Sequence, residues 1–107
     1  MTISGKQRAA LRAEAHHLSA TLQVGQLGLT DTFTQALDEA LRARELVKVQ
    51  LGRGAELSVK EAATALSEAT GSDVVQVIGR TASFYRHNPD LRRDADGKPL
   101  PPRRRAT

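Results

Sequence analysis

Leu22-Gln23-Val24-Gly25-Gln26-Leu27-Gly28-Leu29-Thr30-Asp31 is the stretch on which the fold turns. A short apolar run, two glycines with one pair of residues between them, and the start of an amphipathic segment read as strand, glycine loop and helix N-terminus. Without a Cβ, Gly25 and Gly28 let the backbone turn sharply and approach a ligand closely. The helix just beyond offers unpaired N–H groups and the positive end of its dipole, which suits a phosphate. A strand-to-helix turn that needs glycines only for its backbone angles has the same sequence, so the surroundings of the loop must decide between the two.

Downstream, Phe33, Ala36, Leu37, Ala40 and Leu41 fall on one face of a helix from about Asp31 to Ala43, with Thr30 as its N-cap and Asp31 favouring its positive end. Leu46-Val47-Lys48-Val49-Gln50-Leu51 alternates, with Val47, Val49 and Leu51 to one side and Lys48 and Gln50 to the other. Strand, helix and strand imply a parallel βαβ unit. Gly52-Arg53-Gly54 reads as a flexible turn. Ser58-Val59-Lys60-Glu61 has the capping-box pattern, and the helix it starts, carrying Ala62, Ala65, Leu66 and Ala69, stops at Gly71. Val74 to Ile78 and Thr81 to Arg86 form a hairpin around Gly79-Arg80, where a glycine in the first loop position suits a type II′ turn. Pairing Ile78 with Thr81 aligns Val77 with Ala82 and Val75 with Phe84, which gives an apolar core face. The opposite, mixed face of the hairpin needs partial cover. Upstream, residues 4–18 read as a helix with Leu11, Ala15 and Leu18 in one stripe, and this helix is the available cover. Beside the stripe, Arg8, Arg12 and His16 recur every four residues as a ridge; Lys6 and His17 point more nearly the other way.

The chain has 107 residues and a formal net charge of +4, so it forms one domain at most. It has no cysteine, which rules out disulfides and thiolate metal sites, no secretory h-region, and no apolar run long enough to span a membrane; the expected location is cytoplasmic. Residues 89–107 hold six basic residues (Arg92, Arg93, Lys98, Arg103, Arg104, Arg105) and three acidic ones (Asp90, Asp94, Asp96), leaving ten basic and nine acidic before them. Four prolines and few apolar residues make 89–107 a disordered basic tail on a domain of residues 1–88. Phe33, Phe84 and Tyr85 are the whole aromatic supply, which argues against recognition by stacking bases on an aromatic platform.

Four phrases taken in order are more specific than the glycines alone. They are Gly5-Lys6-Gln7-Arg8-Ala9-Ala10-Leu11-Arg12; Gly28-Leu29-Thr30 closing the loop; Glu45-Leu46-Val47-Lys48-Val49; and Val75-Gln76-Val77-Ile78-Gly79-Arg80-Thr81. Across roughly residues 3–87 the chain resembles the chloroplast RNA splicing and ribosome maturation (CRM) domain in its small bacterial, YhbY-like form. The resemblance implies an α/β fold of α-β-α-β-α-β-β order, with a four-stranded mixed sheet like that of the C-terminal domain of bacterial translation initiation factor three. It also implies a glycine loop comparable to the backbone clamp of KH domains, and association of bacterial members with precursors of the large ribosomal subunit. Two positions depart from the family pattern. Gln26 stands where a lysine is usual, which removes a charge from the loop, and Arg44 replaces a histidine and keeps basic character.

The expectation is therefore a monomeric, non-enzymatic RNA-binding protein acting on ribosomal RNA during large-subunit assembly, with no cofactor, metal, membrane or small-molecule substrate. Backbone N–H groups across Gly25, Gln26, Leu27, Gly28, Leu29 and Thr30 would meet phosphate. Arg8 and Arg12, with Lys6 or His16, would extend that site, and Lys48, Arg80 and Arg86 would add charge if they share its side. The alternative is a protein-interaction module docking on a ribosomal protein or assembly factor, its loop purely structural. Enzymatic chemistry finds little support: His16-His17 lacks the i, i+4 spacing of a helical metal pair, no nucleophile motif is present, and Glu14 with His17 has no third ligand.

Overall fold

In the computed structural model, residues 4–25, 28–54 and 57–91 are described. The expected phosphate contacts of Gln26 and Leu27, and the expected disorder of the tail from Arg92 onward, lie outside the described residues. The elements are α1 (Gly5–Ala15), β1 (Leu22–Val24), α2 (Asp31–Arg44), β2 (Leu46–Leu51), α3 (Val59–Thr70), β3 (Asp73–Ile78) and β4 (Thr81–Tyr85). They build one four-stranded mixed sheet in the order β1-β2-β4-β3; β1 and β2 are parallel and the other pairs antiparallel.

Each helix begins on a side chain that satisfies an otherwise orphaned N–H. The hydroxyl oxygens of Ser4, Thr30 and Ser58 accept from the backbone N–H groups of Gln7, Phe33 and Glu61, each at 3.1 Å. At α3 the capping box is complete, because the Glu61 carboxylate accepts from the Ser58 N–H at 3.2 Å. Gly71, at φ +66°, ends that helix in the left-handed region. α1 stops at Ala15, short of the expected residue 18, and Leu18 lies beyond it, 37% exposed.

α2 and α3 cover one face of the sheet. Leu37, Leu41, Ala62, Ala63 and Leu66 are buried there against Val24, Val47, Val49, Leu51, Ala82 and Phe84. The α3 face differs from the expected one: Ala63 and Thr70 are buried, while Ala65 and Ala69 are exposed. α1 packs on the other face, where Leu11 and Ala15 meet Leu46, Val75 and Tyr85. This supplies the cover that the mixed face of the hairpin called for.

The hairpin register departs from simple alternation. Ile78 pairs with Thr81 and Val77 with Ala82 as expected, but a β-bulge between Val74 and Gln76 makes Val74, not Val75, the partner of Phe84. Val75 and Gln76 consequently both face α1, and Val74 takes the place in the main core expected for Val75. The hairpin turn carries Gly79 at φ +57°, while Arg80 keeps a negative φ, as a type II′ turn requires. Gly52-Arg53-Gly54 is less free than a flexible turn, because Gly52 is buried and its N–H donates to the Val24 carbonyl at 2.8 Å.

Glu45, between α2 and β2, is a constraint the sequence hides. It is 3% exposed and holds φ +64°, a conformation costly for a residue with a Cβ. Its carboxylate accepts from the Asn88 N–H and pairs with His87 Nδ1 at 3.2 Å, and its carbonyl accepts from the Arg86 N–H at 3.0 Å. The chain after β4 is thereby fastened to the end of α2. Glu45→Ala keeps the strained backbone and orphans the Asn88 N–H, and should destabilise the domain by about 2–4 kcal/mol in denaturant titration. Glu45→Gly, which relieves the backbone, should cost less than the alanine change, the reverse of the usual order.

Candidate nucleic-acid interface

The three connections at one end of the sheet converge. β1, β2 and β3 run in the same direction, so the glycine loop, the 52–54 turn and the β3–β4 hairpin turn all emerge together. Backbone contacts lock them. Beyond the Gly52–Val24 bond, the Leu51 N–H donates to the Arg80 carbonyl at 2.6 Å, and the Arg80 guanidinium donates back to the carbonyls of Leu51 (3.0 Å) and Gly52. Arg80 therefore stands at the loop end of the sheet. Arg53, read from sequence only as part of a turn, is exposed beside it with no hydrogen bond or ion pair among the described residues. Its signal was a lone cation between two glycines.

The glycine loop itself is partly committed to its own structure. Gly28 has φ +73°, and its N–H donates to the Gly25 carbonyl at 3.0 Å, so that donor is spent within the turn. Leu29 packs its side chain against the main core, and the Thr30 hydroxyl oxygen is occupied as the N-cap. Asp31 already places a carboxylate in the first turn of α2, which offsets the positive helix end that a phosphate would use. Gly25 differs from Gly28: its φ is not positive, and a Cβ there would meet nothing within 4 Å. Neither backbone angle nor packing among the described residues requires a glycine at position 25.

The sheet face that α1 leaves uncovered forms a second feature. Cross-strand pairing sets Lys48, Ser83 and Gln76 in one row and Gln50, Thr81 and Ile78 in the next, toward the hairpin turn. With His16 on the rim, Lys48, Gln76, Ile78, Thr81 and Ser83 line an open groove. Lys48 Nζ donates to the carbonyls of Ala15 (3.3 Å) and Leu18 (3.2 Å), so it caps the end of α1 as well as charging the groove. Arg12 is exposed one turn before His16 on the same ridge. Arg8, one turn earlier, is half-buried and donates to the Val74 carbonyl beside the bulge.

Two expected members lie elsewhere. Lys6 is exposed near the start of α1, on the edge away from the ridge. Arg86 does not share this side of the molecule: its guanidinium is held by the Asp38 carboxylate (2.7 Å) and carbonyl (3.1 Å) and by the Thr70 carbonyl (2.6 Å), between α2 and α3. Phe84 (0% exposed) and Tyr85 (9%) are buried, and Phe33 is half-buried against the main core, so the aromatics form no exposed stacking platform. Among the described residues no cluster of His, Asp or Glu has the arrangement of a metal site, and no helix is long and apolar enough to cross a membrane.

The CRS1 / YhbY (CRM) domain matches residues 3–86 of the chain. "Probable RNA-binding protein YqeI" of Bacillus subtilis is 40% identical over 86 residues, covering 80% of this chain and 90% of that one. An "RNA-binding protein" of Haemophilus influenzae is 35% identical over 86 residues, covering 79% of this chain and 86% of that one. Among solved structures, the solution structure of a hypothetical Staphylococcus aureus protein, described there as a candidate RNA binder, superposes with a TM-score of 0.69 at 32% identity. It covers 92% of this chain and all of the other.

The two glycines give a direct test of what the loop does. Gly28→Ala should destabilise the free domain by about 1–2 kcal/mol, because its φ is positive. Gly25→Ala should leave the melting temperature within a degree or two and still weaken binding of a structured RNA, since only an approaching ligand would meet the new methyl group. Unchanged affinity in Gly25→Ala would mean that nothing comes close to the loop.

Proposed function

We propose that this chain, which belongs to the CRS1 / YhbY (CRM) domain family, binds RNA through the end of the sheet where its glycine loop, Arg80 and Arg53 meet, together with the Arg12–His16 edge of α1. Its RNA is a ribosomal RNA segment within a precursor of the large subunit, and its role is to assist assembly without catalysis. The observation that carries this reading is the convergence of three loops and their cations at one end of the sheet, next to a polar face with no acidic side chain in its lining. The names of the relatives from Bacillus subtilis and Haemophilus influenzae support RNA as the ligand class. The role in assembly rests on the family resemblance. With Phe84 and Tyr85 buried and Phe33 half-buried against the core, affinity comes chiefly from phosphate contacts, and preference among sequences is weak.

Crosslinking in growing cells followed by sequencing of the bound RNA tests the assignment, and recovery of large-subunit precursor RNA is the expected result. In vitro, Arg12→Glu should weaken binding of structured RNA severalfold with little change in melting temperature. Arg86→Ala should do the opposite, lowering stability by about 1–2 kcal/mol as its partly buried hydrogen bonds to Asp38 and Thr70 are lost, with affinity per folded molecule unchanged. Truncation after Leu91 removes six basic and two acidic residues. The shortened protein should stay folded, lose affinity for all RNAs alike, and show a shallower dependence of log affinity on log salt.

A further inference from the structure

We propose that the groove between α1 and the β3–β4 hairpin seats one unpaired nucleobase of the bound RNA, so that the ligand is a structured RNA with a single-stranded segment beside it. The inference rests on the RNA-binding reading above and deepens it. The floor of the groove carries Ser83, a residue 3% exposed whose hydroxyl makes no side-chain hydrogen bond among the described residues. No buried side-chain polar atom among the described residues lacks a partner, so the Ser83 hydroxyl reaches the groove surface and is open to whatever enters. Beside it in the same cross-strand row, the Gln76 amide lines the groove with both a donor and an acceptor and no protein partner among the described residues. On the other side, Lys48 uses two N–H groups on the carbonyls of Ala15 and Leu18 and keeps one.

This set fits a base better than a phosphate. A phosphate calls for several cationic or backbone donors, whereas the floor is a neutral hydroxyl and an amide, the pairing chemistry used to read base edges. Ile78, 54% exposed at the next position along β3, offers the apolar surface on which a base face can rest. Beyond Lys48, the cations stand at the margins, with Arg12 on the helix rim and Arg80 at the hairpin turn, where the flanking phosphates would pass. The base must be unpaired, because bases stacked in a duplex cannot descend between a helix and a sheet floor. No aromatic ring contributes, so the gain is modest.

The test uses the full chain and three RNAs at one salt concentration: a fully paired blunt-ended duplex, the same duplex with a short unpaired 3′ overhang, and that overhang with its nucleotides made abasic. The overhang should tighten binding roughly tenfold, equivalent to about 1.4 kcal/mol, and the abasic overhang should lose most of that gain although its phosphates remain. Gln76→Leu, which fills the seat, and Ser83→Ala, which only removes the hydroxyl, should each erase much of the preference while binding the blunt duplex as the wild type does. Equal affinity of the wild type for all three RNAs would overturn the base seat and leave RNA binding intact, as would variants that retain the full preference. No affinity for any of the three would overturn the RNA-binding reading and this inference with it.

Discussion

One backbone contact holds the loop end of this molecule together. The Gly52 N–H donates to the Val24 carbonyl at 2.8 Å, and a Cβ at position 52 would sit 2.6 Å from that same oxygen. The parallel pairing of β1 and β2 continues past the end of the strands only because glycine has no side chain. The contact has consequences on both sides. It fixes the last residue of β1 immediately before the glycine loop, and it presents the Gly52 carbonyl to the Arg80 guanidinium, which ties in the hairpin turn. The end of β1, the start of the 52–54 turn and the hairpin turn are thereby tied to one another, which sets the base of the proposed interface.

The sequence was legible wherever local rules sufficed. Caps at Thr30 and Ser58, the left-handed stop at Gly71, the alternation of β2 and the glycine-led hairpin turn each act within a few residues, and the seven elements follow from them. What was not legible depends on tertiary geometry. The bulge depends on how β3 packs between α1 and the main core, and nothing in Val74-Val75-Gln76 shows which valine will face which helix. The same bulge sets both Val75 and Gln76 toward α1, which seals one end of the covered face and opens the groove next to it. Glu45 reads as an ordinary residue between a helix and a strand. Its positive φ and buried carboxylate follow from Asn88 and His87, more than forty positions away.

Charge was the least legible property, because composition counts cations without saying what they hold. Arg8, Lys48, Arg80 and Arg86 all donate to backbone carbonyls, and Arg86 adds a carboxylate. Such bonds close the ends of elements that lack internal partners, and they position the side chain more firmly than a solvated cation. Lys48 and Arg80 are fixed in this way while still bordering open surface; Arg86 is enclosed between α2 and α3. Arg12 and Arg53 have no such duties among the described residues and are the exposed cations of the same two regions. A fixed cation lends geometry and a free one lends charge, and this end of the domain has both.

The glycine loop drew attention first, yet its local electrostatics are moderate. Asp31 lies in the first turn of α2, and the Gly28 N–H is used inside the turn, so the helix end offers an approaching phosphate less than an uncapped N-terminus would. Position 26 carries no charge to make up the difference. An anion held only here would compete poorly with water and salt. In the proposed interface the loop serves as a place where backbone can come close, and most of the attraction would come from the sides, from Arg80, Arg53 and the rim of α1. Separating close approach from charge in this way lets the fold keep Asp31 as a helix-stabilising residue beside the loop of the proposed interface.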